Sequence, residues 1–143
     1  VTCAVPVTST DIYPTVLEVA GCPAMPEQHA DGVSLVPLLD GEDSLEREAL
    51  FWHYPHYGNQ GGTPGASVRM GDFKLIEFYE DNRVELYNLR EDIGEHRNLA
   101  SEEPDRAASM RAVLDDWRQS VEAKIPQPNP DFEEPDEFSD RDV

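Results

Sequence analysis

Residues 51–69, FWHYPHYGNQGGTPGASVR, gather most of the chemistry-bearing side chains of this chain into one segment. His53 and His56 can donate, accept or carry a proton. Tyr54 and Tyr57 offer aromatic faces and hydroxyls, and Asn59 and Gln60 offer amides. Together these groups suit a hydroxyl-rich or anionic ligand. Arg69, Lys74 and Arg83, just downstream, form the least acidic stretch of an acidic chain, and local cations prevail where distant carboxylates are screened beyond about 8–10 Å in physiological salt. A structural reading stands beside the functional one. Trp52 and Tyr54 can serve as sheet core, and the four glycines of the segment can serve a backbone path with positive φ.

Other chemistries fail on spacing. His53 and His56 stand three apart, but Pro55 between them excludes a helix carrying both on one face, and no third ligand follows at zinc-site spacing. GNQGG has no Lys-Ser/Thr after it and opens no helix, so it is not a phosphate cradle. Ser34 and Ser67 lie outside a G-x-S-x-G elbow. No complete catalytic set is present.

The elements that must position this segment are legible from periodicity. ALFWHY, ending at Tyr54, predicts a strand, and residues 66–70, 73–79 and 83–87 predict three more, joined by turns at Met70-Gly71-Asp72 and Glu80-Asp81-Asn82. Phe73, Leu75 and Glu77 alternate with Lys74, Ile76 and Phe78, so the sheet is expected to be covered on much of both faces. Pro104 opens a helix over 105–125, with Ala107, Met110, Leu114, Trp117 and Val121 as one apolar stripe lying on the sheet. Upstream, Ser9 or Thr10 caps a helix that Asp11 favours electrostatically and that Gly21 and Pro23 end. Its Ile12, Val16, Leu17 and Ala20 share a face with no strand nearby to cover. The tail from Pro126 is acidic, broken by prolines, and expected to be disordered.

Composition limits the partners. The formal net charge is −19 over 143 residues, which repels nucleic acid and anionic membrane surfaces. No run approaches the roughly 20 apolar residues of a membrane span. Cys3 and Cys22 are too few for a disulfide framework and are expected as buried or half-buried free thiols. The opening VTCAVPVTSTD shows neither a start methionine nor a signal-peptide core, and reads as the interior of a longer chain.

In order and spacing, PVTSTDIYPTVLEVAG, DGVSLVPLLDG and the run from ALFWHY to GEHRNLA resemble the C-terminal portion of type I sulfatases, the arylsulfatase family. The resemblance covers residues 5–130 and implies an α+β arrangement. Residues 1–48 would end a large alkaline-phosphatase-like α/β domain. Residues 49–125 would form a subdomain of about four antiparallel strands on one long helix, and residues 126–143 a tail. It also implies hydrolysis of sulfate esters of a small molecule or glycan, by a formylglycine made from Cys-x-Pro-x-Arg with a calcium ion beside it. Cys3 reads C-A-V-P-V and Cys22 reads C-P-A-M-P, so neither fits that motif, and this chain by itself is expected to bind neither group and to be inactive. The resemblance places His53, His56, Tyr57, Asn59 and Gln60 at the substrate cleft, on the sugar or phenol side. It suggests a periplasmic or secreted location. A phosphatase or phosphonate hydrolase of the same superfamily, and a non-catalytic carbohydrate-binding or interaction module, are the competing readings.

Overall fold

A computed structural model describes residues 2–59 and 61–131. The chain divides into two compact units, Val1–Ala49 and Leu50–Val143.

The first unit is built around Asp11. A single 3-10 turn, Ser9–Asp11, leads into α1 (Ile12–Val19), and a one-turn helix, α2 (Val36–Leu39), follows later. Asp11 is expected from sequence to favour the positive end of a helix, yet it is completely buried and does more. Its carboxylate accepts the Thr8 backbone N–H at 2.8 Å, the Val33 N–H at 3.1 Å, and both terminal nitrogens of Arg47 at 2.6 and 3.0 Å. Arg47 also donates to the Pro6 carbonyl at 3.0 Å, so one ion pair ties three separate stretches together, around residues 6–11, Val33 and Arg47. Burial alone would raise the Asp11 pKa; the hydrogen bonds from Arg47, Thr8 and Val33 outweigh it and hold the carboxyl below its ordinary value. Gly32 is required where it is, because a Cβ there would sit 2.2 Å from the Thr10 carbonyl oxygen. On α1 the predicted stripe is open: Ile12 and Val16 are 59% and 57% exposed, and Pro14 is the buried residue of the helix.

The second unit is a four-stranded antiparallel meander in sequence order: β1 (Leu50–Tyr54), β2 (Gly65–Met70), β3 (Phe73–Phe78) and β4 (Val84–Asn88). With α3 (Pro104–Ser120) packed on β2 and β3, the α+β expectation is met. Register sets the faces. Phe51, Val68, Leu75 and Leu86 lie in one cross-strand row, and His53, Ala66, Glu77 and Val84 in the next. This side meets α3: Phe51 stacks on Trp117 with ring centroids 4.8 Å apart, and Val68, Leu75, Leu86 and Leu114 are fully buried. Each such side chain contributes roughly 1.5–3 kcal/mol by leaving water. The other side, with Trp52, Tyr54, Lys74, Ile76 and Phe78, is only half-buried to exposed, so coverage is less even than the alternation suggested.

The apolar stripe of α3 departs from expectation at its C-terminal end. Ala107, Met110 and Leu114 are buried, but the helix stops at Ser120 and Val121 lies outside it, exposed. Arg118 fills the inward position instead. It donates to Glu77 at 2.7 Å and also pairs with Asp115, while Arg111 reaches the second Glu77 oxygen at 2.5 Å. An inward-pointing acid on β3 thus needs a base at the end of the helix stripe, and an apolar residue there would leave Glu77 buried with a single partner.

Candidate functional site

The segment between β1 and β2 begins where the sheet ends. Strand alternation separates the two histidines. His53 continues the helix-facing row of β1, while Tyr54 points to the open side, and His56 packs edge-on against Tyr54 with centroids 5.5 Å apart. The structure therefore does not bring His53 and His56 together as a pair.

Both ring nitrogens of His53 are engaged. Nδ1 lies 2.6 Å from the Tyr79 hydroxyl and Nε2 lies 3.1 Å from the Lys124 backbone carbonyl. A carbonyl only accepts, so Nε2 carries the hydrogen, and in the neutral ring Nδ1 accepts the Tyr79 hydroxyl proton. Tyr79 in turn lies beside the Glu77–Arg118–Asp115 cluster. Burial raises the Tyr79 pKa and Arg118 opposes that rise without cancelling it. For Arg118 burial works against the charge, but the Tyr79 hydroxyl, Asp115 and Glu77 more than offset it, so its pKa lies above the ordinary arginine value.

Tyr57 is 68% exposed, and its hydroxyl donates to Glu80 at 2.7 Å, which raises the hydroxyl's pKa. Asn59 is exposed at the tip. Gln60 lies outside the described residues. Gly58 and Gly62 close the tip through an N–H to carbonyl bond of 2.9 Å, with Gly61 at φ +93°, a conformation that glycine adopts without strain. At the far end Gly65 enters β2, and the Tyr79 N–H bonds the Pro64 carbonyl at 3.0 Å. On the open side of the sheet, Trp52, Tyr54, Ser67, Ile76 and Phe78 line a shallow concavity of about 190 Å³.

Sequence reasoning missed Tyr79, Glu80 and the Lys124 carbonyl, which hold the candidate residues in place. A partial signal existed: Glu77 falls at inward parity on β3, and Arg111 and Arg118 stand seven apart beside the helix stripe, one heptad of a face looking at it.

Neither group implied for the chemistry fits here. Among the described residues no three His, Cys, Asp or Glu side chains converge as a metal site. Cys3 and Cys22 are free thiols outside Cys-x-Pro-x-Arg, and both are exposed where burial was expected. No catalytic step is therefore assigned to formylglycine or calcium on these residues. Among the described residues no helix is long and apolar enough to cross a membrane.

Comparison with known proteins bears on the whole arrangement. The family described as N-sulphoglucosamine sulphohydrolase, C-terminal, matches residues 3–122. A sulfatase of Formosa agariphila is 37% identical over 121 residues, covering 75% of this chain and 22% of that protein. A Delta 4,5-hexuronate-2-O-sulfatase of Bacteroides thetaiotaomicron is 36% identical, again over 75% of this chain and 22% of the relative. Among solved structures, a 2-O GAG sulfatase superposes with a TM-score of 0.67 at 30% identity, over 79% of this chain and 25% of that one. A protein solved in complex with its substrate D-glucosamine-2-N,6-O-disulfate gives 0.66 at 28% identity, over 78% and 24%. This chain spans about a fifth of the length of the curated relatives it matches. On the match across residues 3–122, the chain belongs to the N-sulphoglucosamine sulphohydrolase C-terminal family and is a C-terminal portion of a sulfatase.

Proposed function

We propose that this chain works as the C-terminal part of an enzyme that hydrolyses sulfate esters of saccharides, and that the segment from His53 to Gly65 borders the saccharide. The family match over residues 3–122 carries this reading. The names of its relatives, and a structural neighbour whose substrate is a sulfated glucosamine, support it. In this reading residues 1–48 complete the large α/β domain and residues 49–125 form the small subdomain, with a tail from 126 onward. The formylglycine and the calcium ion act from the enzyme's remaining length. The residues seen here supply shape and hydrogen bonds to the sugar.

The site residues divide by role. His56, Asn59 and the ring of Tyr57 face solvent and are the groups offered to a ligand, with Gln60 beside them in sequence. His53 is committed to Tyr79 and Lys124, so it holds the root of the segment. Hydrogen bonds that fix a sugar's hydroxyls contribute about 1 kcal/mol each, or roughly fivefold in affinity.

The test is sulfate release by the full-length enzyme from D-glucosamine-2-N,6-O-disulfate and from a panel of sulfated disaccharides. The parent enzyme should release sulfate from at least one of them. His56→Ala should lower kcat/KM roughly fivefold, chiefly through KM. A parent enzyme that releases phosphate but no sulfate from matched esters would transfer the chain to the phosphatase branch. An unchanged kcat/KM in His56→Ala on every substrate would make the segment scaffold.

A further inference from the structure

We propose that Tyr79 and Glu80, at the end of β3, are positioning residues that set the geometry of the sugar-facing segment from below. This rests on the reading that the segment borders the saccharide. The two are adjacent in sequence and hold opposite ends of one stretch. Tyr79 grips His53 at the root, where the chain leaves β1, and Glu80 grips Tyr57 four residues later. Between these two anchors lie only Tyr54, Pro55 and His56. Pro55 fixes its own φ near −65°, which removes one backbone torsion from the short stretch that carries His56.

The Tyr79 anchor is itself fixed. The Lys124 carbonyl holds His53 from its other nitrogen, so the ring cannot flip without losing both partners. Tyr79 rests on the buried pair of Glu77 and Arg118, with Asp115 at its exposed edge and the Arg118 guanidinium carbon 5.6 Å from its ring centre. Geometry is thus passed from α3 and the segment after it, through Tyr79 and His53, to the residues offered to a ligand. The Glu80 anchor differs. It is on the surface and holds a 68% exposed tyrosine, so it orients the segment's middle and lies open to competition from water.

Two measurements test the proposal. In the 143-residue chain, long-range proton–nitrogen spectra of the imidazoles should show His53 at neutral pH with a pyrrole-like Nε2 and a pyridine-like Nδ1. In Tyr79→Phe, which keeps the ring but removes the hydroxyl, the His53 signals should shift while those of exposed His56 serve as internal reference. A mixed tautomer in the parent, or unmoved His53 signals in Tyr79→Phe, overturns the strut. In the full-length enzyme, Tyr79→Phe and Glu80→Ala should each raise KM for D-glucosamine-2-N,6-O-disulfate by roughly fivefold, with Glu80→Gln restoring most of it because the amide oxygen still accepts. Losses confined to kcat, or equal losses on 4-nitrophenyl sulfate and the saccharide, mark the pair as fold only and overturn the positioning role. A parent enzyme inactive on both esters overturns the sulfatase reading, whereas an active parent indistinguishable from Tyr79→Phe overturns only this inference.

Discussion

Removing the Glu77 carboxylate probes how the sheet and α3 are joined. Glu77 and Arg118 are 4% and 7% exposed, and the bond between them is 2.7 Å. In Glu77→Ala the Arg118 guanidinium stays buried with Asp115 as its remaining acid, and Arg111 turns toward water. Breaking a buried pair by deleting one partner costs about 3–5 kcal/mol. Asp115 survives as a partner, and Arg111 is exposed enough for water to replace its share, so the expected cost lies at the lower end, about 3 kcal/mol. With a urea m-value of about 1.5 kcal/mol/M, that lowers the midpoint by about 2 M.

The assay is urea unfolding followed by Trp117 fluorescence in a Trp52→Phe background, so the signal comes from the ring stacked on Phe51. The double variant Glu77→Leu with Arg118→Leu supplies the control, because replacing both members of a buried pair by apolar residues is often neutral. Its unfolding free energy should return to within about 1 kcal/mol of the parent's. A single variant as stable as the parent, or a double variant as damaged as the single, would refute the account of Arg118 as the base that Glu77 requires.

Two other outcomes follow from the same geometry. The Asp11 carboxyl is held below its ordinary value, so the unfolded state takes up the proton first as pH falls. Its contribution to stability is complete above the unfolded value near 4 and is lost as pH drops through the lower folded value. Amide exchange at Thr8 and Val33, corrected for intrinsic rate, should lose protection in that acidic window, and protection that persists through it would refute the assignment. At Gly65, a Cβ would lie 2.7 Å from the Glu77 carbonyl oxygen of β3, so Gly65→Ala must push the two strands apart. It should cost about 1–3 kcal/mol in the urea assay, and a midpoint unchanged from the parent would show that the strands yield.

The strands were readable because each has period-two alternation bounded by turn residues, and their limits fell within a residue or two. Gly71, at φ +55°, sits in the β2–β3 turn where the Met-Gly-Asp signal placed it. The helix was readable from its stripe as far as Trp117, which stacks on Phe51 of the sheet. Beyond that, the reading extended an apolar pattern to Val121, because parity turns Glu77 inward but nothing local says which residue of the helix must answer it. Asp11 does stand at the start of the helix, where the dipole favours it, but that reading was incomplete for a similar reason. Its dipole role is a local rule, whereas its burial comes from Val33 and Arg47, 22 and 36 residues away. The His53–Lys124 bond spans 71 residues and depends on the ends of β1, β3 and α3 arriving together. No periodicity encodes that meeting. The histidines of the candidate segment were visible as residue types, but their separation onto two sides of the sheet becomes plain only when strand parity is fixed.

Charge decides what this part of the molecule can offer an anionic sugar. The sequence suggests Arg69, Lys74 and Arg83 as local cations for a sulfate. In the structure Lys74 donates to Glu95 at 2.7 Å, and Arg83 pairs with Glu85 and Asp81 while lying 3.8 Å over the Phe78 ring. Those two charges are already answered, and freeing either would leave an acid behind in a chain of net charge −19. Arg69 makes a long contact, 3.5 Å, to the Gly71 carbonyl and has a freer head. The segment from His53 to Gly65 holds no Lys or Arg at all. Hydrogen-bonding groups and aromatic faces are therefore what it presents, and under the proposed function these would meet a pyranose ring and its hydroxyls rather than its sulfate. Under that proposal the sulfate's negative charge would be met from the enzyme's remaining length. The Glu80 carboxylate beside Tyr57 would then repel a sulfate turned toward the segment and so help to orient the substrate.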